Sequence, residues 1–150
     1  MNRDDAYQRL RGIQDELDAA RFSAGYVLGE IARGGDPLTQ QTLKPSHLRL
    51  CAKNLEFTYT LRLFATFEGV LRSYWGVVRP SPRPRQTKIS VLMDRLAAHC
   101  TIPFDMLKNA HDVREYRNSI VHTNETVDIL TFGDCKSRLA QFLKHLPRVW

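Results

Sequence analysis

Ala6, Leu10, Ile13, Leu17, Ala20, Ala24, Val27 and Ile31 recur alternately four and three residues apart, and a helix of about 3.6 residues per turn gathers such a set on one side. A strand would scatter them over both faces. The seam predicts a helix over about residues 4–33, closed by Gly34, Gly35 and Pro37, residue types that cap and stop helices. Its small side chains admit a close neighbour. That neighbour is a second long helix, predicted from Ser46 as N-cap to about Val78 and folded back as an antiparallel hairpin.

The stretch from Arg79 to Lys88 holds three prolines and four cations, which forbid a helix and predict an exposed link between helical pairs. A short helix follows over about 88–99, with Ile89, Leu92, Met93 and Leu96 inward. Thr101 and Pro103 mark the start of another, about 103–124. A β-branched connector from Val127 to Phe132 leads to a last helix striped by Cys135, Leu139, Phe142, Leu143 and Leu146. No repeat and no sheet pattern is present. The expected fold is an all-α antiparallel bundle of four to five helices, one domain over residues 1–150 with 79–88 as an inter-helix loop.

Lys and Arg number 22 against 16 acidic residues, a net charge of +6, and most of the excess is arginine. That balance favours anionic partners, with nucleic acid ahead of a membrane surface because the guanidinium fork suits phosphate. No apolar run approaches the roughly 20 residues that span a bilayer. Cys51, Cys100 and Cys135 are scattered and lack metal-ligand spacing, so they read as buried apolar residues of a reducing, cytoplasmic compartment, with no metal and no cofactor implied.

Two helices carry a charge where a helical wheel places apolar residues. Arg117 falls within the stripe Met106, Ala110, Val113, Ile120 and Val121, and Glu68 within Phe57, Leu61, Phe64, Leu71, Trp75 and Val78. A buried charge is costly unless paired, so Glu68 and Arg117 are expected to face each other, whether to fix register or to serve a site. His122 lies five residues after Arg117, about 140° around the helix and about 7.5 Å along it, so one copy cannot readily clamp one phosphate with both. Asn118 lies one turn before His122, where it could orient the imidazole or meet a ribose. His111, Arg114, Glu115 and Glu125 are on or near the same polar face.

The string Val113-Arg-Glu-Tyr-Arg117-Asn118-Ser-Ile-Val-His122, late in a helical chain, resembles the R-x4-6-H signature of the HEPN superfamily (higher eukaryotes and prokaryotes nucleotide-binding). The segment Phe64-Ala-Thr-Phe-Glu68-Gly-Val-Leu71 is similar to the acidic helix of several members, and the resemblance spans about residues 46–146. It implies a helical bundle that forms a symmetric dimer through the motif helix, and often a metal-independent endoribonuclease, including toxins held by an antitoxin. Carried over by position, Arg117, Asn118 and His122 would be catalytic. Glu68, Arg114 and His111 are, beside that resemblance, the candidates for supporting them or binding the substrate. Members paired with a nucleotidyltransferase antitoxin carry a tyrosine two residues after the histidine, where this chain has Asn124. The competing expectations are a non-catalytic helical dimer that binds nucleic acid, nucleotide or a protein partner, and a plain helical adaptor.

Overall fold

The structure, a computed structural model, describes residues 2–38, 43–80, 87–122 and 128–150. Five helices follow in order: α1 (Arg3–Ala32), α2 (Pro45–Val78), α3 (Ile89–His99), α4 (Phe104–Val121) and α5 (Phe132–Lys144). No strand is present among the described residues, and none of their helices is long and apolar enough to cross a membrane. Residues 81–86 of the proline-rich link lie outside the described set, as do 123–127 with Asn124, Glu125 and Val127.

The hairpin forms as its seam requires. Glu16 pairs with Arg62 and Arg21 with Glu56, so numbers rise on α1 as they fall on α2 and the two run antiparallel. Gly34, at φ 86°, takes the left-handed position after α1, where glycine pays no Cβ penalty. Its N–H meets the Ile31 carbonyl and that of Gly35 meets Glu30, closing a Schellman turn. Helix α2 begins two residues earlier than expected. Its N-cap is Lys44 and Pro45 holds the first helical position, so Ser46 lies inside the helix.

Helix α5 lies parallel to α2, because the Phe132 N–H donates to Glu56 while Phe142 packs edge-on against Phe67 with ring centres 5.5 Å apart. It runs antiparallel to α1, with the Tyr7 hydroxyl on the Ala140 carbonyl and Arg3 Nη1 on the carbonyls of Lys144 and Leu146. Arg138 on α5 reaches Asp112 on α4 at 3.0 Å. The core between them is Leu10, Leu17, Leu63, Phe64, Phe67, Leu71, Val113, Leu139 and Phe142, all buried. Thr131 and Asp134 cap α5 reciprocally, and the Thr131 hydroxyl holds the Asp134 carboxyl below its ordinary pKa.

Burial ends well before the hairpin does. On α1 the buried residues stop at Leu17 and on α2 they begin at Thr60, while Glu56 still meets the start of α5 and Leu55 and Tyr59 still pack on the core, so the hairpin beyond them, about 22–32 and 45–54, extends as a two-helix arm. Ten residues of α2 correspond to about 15 Å of this arm. Phe57, expected in the core, is at the root of the arm and 41% exposed. The cysteines also divide: Cys135 is buried and burial pushes its thiol up to about 12, Cys100 is half-buried against the Tyr74 hydroxyl, and Cys51 on the arm is exposed rather than buried.

After α3 the chain turns at Thr101 with φ 53°, a left-handed conformation disfavoured by a β-branched side chain. The Ile102 N–H still reaches the Ala97 carbonyl at 2.9 Å, so the turn is held by its hydrogen bond despite the strain. Thr101→Gly is expected to stabilise the protein by about 1 kcal/mol, by removing the Cβ conflict at an exposed site. Urea denaturation checks this, and a loss of stability would place the strain elsewhere.

Candidate functional site

The expected Glu68–Arg117 pair does not form. Glu68 Oε1 accepts Nε and Nη2 of Arg72, one turn later on the same helix, at 2.8 and 2.6 Å, and Arg72 Nη1 continues to the Thr87 carbonyl. Glu68 thus fastens α2 to the entry of α3. Arg117 instead donates through Nη1 to Asn118 Oδ1 at 3.1 Å. The reason is axial register. Glu56 accepts the first N–H of α5, and Glu115 of α4 lines one groove with Asp128 and Leu130, which lead into α5, so the end of α4 lies toward the Glu56 end of the body. Glu68 is twelve residues farther along α2, about 18 Å away. The buried face of α4 is also rotated from the expected one: Ala110, Val113 and Tyr116 fill it, and Arg117 is half-buried at its border.

The last two turns of α4 carry Arg114, Asn118 and His122 at successive one-turn steps, a ridge on the polar side with Arg117 beside it. His122 is the exposed C-cap, not an interior helical residue, and its N–H closes the helix on the Asn118 carbonyl at 2.8 Å. Its imidazole has no hydrogen-bond partner among the described residues. Asn118 therefore holds the guanidinium of Arg117 and not the imidazole of His122. Arg114 leans on Glu115 at 3.4 Å and leaves its Nε buried without a partner.

His111 is three turns back from His122 and belongs to another contact. Its Nε2 is 2.8 Å from Asp94 Oδ1, joining α4 to α3. A groove between α4 and α5, of about 520 Å³, is lined by Lys108, Asp112, Glu115, Asp128, Leu130 and Arg138. Both its cations are engaged by Asp112, so it offers an anion little. Among the described residues no three His, Cys, Asp or Glu side chains converge as metal ligands.

Glu56 was not among the expected site residues. It lies off the apolar stripe, between Leu55 and Phe57, and its only signal in the sequence is that it and Arg21 sit at matching distances from the hairpin turn. With one oxygen on Arg21 and the other on the Phe132 N–H, it supports the end of the bundle where Arg117, Asn118 and His122 emerge. No family model, no curated protein and no solved structure matches this chain.

Because Glu68 is satisfied by Arg72, Glu68→Ala combined with Arg117→Ala should destabilise additively, with a coupling near zero. The Glu68–Arg72 cycle should give about 0.5 kcal/mol, as an i, i+4 pair that is part-exposed does. Both cycles are read by urea denaturation, and a coupling of several kcal/mol between Glu68 and Arg117 would contradict the register described.

Proposed function

We propose that this protein is a metal-independent endoribonuclease of HEPN type, acting as a symmetric dimer through α4. The single observation that carries the reading is the end of α4: an exposed imidazole at its C-cap, without a partner among the described residues, on the same terminal turns as a guanidinium held by Asn118. RNA contains its own nucleophile, so cleavage needs a base, an acid and a cation. His122 takes the 2′-OH proton, the 2′ oxygen attacks the adjacent phosphorus, and the bond to the 5′ oxygen breaks. His122 of a second copy protonates that leaving oxygen, giving a 2′,3′-cyclic phosphate and a 5′-OH. Histidine suits both steps because its ordinary pKa lies near neutrality. Arg117 stabilises the added charge on the phosphorane by charge-assisted hydrogen bonds.

The dimer supplies what one chain lacks. Arg117 and His122 diverge by about 140° on their helix, and a twofold axis near the end of α4 lets the histidine of one copy work with the arginine of the other. A toxin or defence effector restrained by an antitoxin fits such an unguarded activity.

One contact favours the competing reading of a non-catalytic helical dimer that binds nucleic acid: Asn118 is engaged by Arg117, leaving no side chain to orient the imidazole. End analysis of RNA incubated with the protein separates the two. The enzyme should yield cyclic phosphate ends in the presence of EDTA, with His122→Ala slowing cleavage by about 10²- to 10⁴-fold. Arg117→Ala should also be inactive, while remaining folded. Expression should arrest growth, and His122→Ala should relieve it. Intact RNA, or cleavage unaffected by His122→Ala, would remove the enzyme reading.

A further inference from the structure

The arm and the end of α4 are neighbours. Glu56 lies at the root of the arm and holds the first N–H of α5; Asp112 of α4 meets Arg138 of α5, and Glu115 lines a groove with Asp128 and Leu130 just before α5, so Arg117, Asn118 and His122 emerge at the end of the bundle that the arm overtops. One side of the arm faces over that end. Arg49 precedes Phe67 by eighteen residues, which is five turns, and Phe67 packs on α5, so Arg49 projects toward the side of α2 that the body covers lower down. Lys53 is one turn nearer the body and Phe57 one turn nearer still, giving cation, cation and aromatic ring along one ridge.

The charge on this ridge is uncompensated. The acids of the arm and its root already have arginine partners, since Glu56 holds Arg21, Glu30 holds Arg33 and Asp18 lies 4.0 Å from Arg21. Arg49 and Lys53 are exposed and without partners among the described residues. The first turn of α2 adds no acid. A wall of unpaired cations beside an exposed phenyl ring suits a ligand that alternates phosphates with flat bases, and the ring can stack only on bases that are not paired in a duplex.

We infer that the inner side of the arm, Arg49, Lys53 and Phe57, binds the single-stranded RNA that flanks the bond presented at the end of α4. The inference takes the polymer's identity from the ribonuclease reading, but its residues lie outside that machinery. It assigns the arm the task of holding the strand, so that α4 need only act on one phosphate. A second copy or an acidic protein could in principle cover the same wall, and the test separates them.

The experiment uses the full chain with His122→Ala, a fluorescein-labelled single-stranded RNA of about 20 nucleotides, and anisotropy over a range of salt. Arg49→Glu with Lys53→Glu should weaken binding about tenfold or more and lower the salt slope by about 1.4, at about 0.7 per phosphate contact on a single strand. Phe57→Ala should weaken binding while leaving the slope unchanged. Arg9→Glu with Arg11→Glu makes the same charge change at exposed, unpartnered sites far from the arm, and should alter neither. Circular dichroism checks that each variant is folded.

An unchanged slope in the Arg49/Lys53 variant, or an equal loss in the Arg9/Arg11 control, overturns the inference. So does a variant that binds RNA normally but changes its sedimentation, which would give the wall to a second copy. The two proposals fail separately: loss of binding in the arm variant with no cleavage by the natural sequence ends the enzyme but keeps the wall, whereas His122-dependent cleavage with normal binding in the arm variant ends the wall alone.

Discussion

The Glu56 carboxylate sets the relation among the helices. One oxygen accepts from Arg21 of α1 and the other from the Phe132 N–H that opens α5. A negative charge at a helix N-terminus is favourable through both the orphan N–H and the helix dipole. An N–H donated to a charged acceptor contributes about 1.5 to 3 kcal/mol, more than a part-exposed ion pair of about 0 to 1 kcal/mol, so the hold on α5 is the stronger of its two contacts.

The helices were legible in the sequence and their relative heights were not. A seam such as Ala6 to Ile31 reports direction around one helix, and the five helices lie within a few residues of the patterns that predict them. The same wheel cannot say how far along its axis one helix meets another. Hence Glu68, about 18 Å along α2 from Glu56, does not meet Arg117, and each finds a local partner instead. Phe57 and Cys51 went astray for a related reason, since the stripe on α2 continues beyond the body that would bury it. The identity of the ridge on α4 could be read from spacing, but the turn of Asn118 toward Arg117 depends on side-chain geometry that spacing does not encode.

The proposed site divides its labour between two helices of different kinds. Helix α4 is short, packed against α5 and ends at His122, which fixes the position of a small number of polar groups. The second half of α2 is buried and its first half is not, so one continuous helix serves as core in one part and as open surface in the other. Charge follows the same division. Around the groove between α4 and α5 the cations Arg138 and Lys108 are matched by Asp112, while on the arm's inner side Arg49 and Lys53 have no partner among the described residues.

Arg3 offers a last consequence. Its guanidinium closes the carbonyls left open at the end of α5, a contact that joins positions 141 and 143 residues apart, whereas Arg21 and Glu56 join α1 to α2 across 35. Closing a loop costs more entropy as it lengthens, though only logarithmically. Joining the two long helices to each other is therefore the less costly closure, and the Arg3 clasp, which ties the two ends of the chain together, is the remote one.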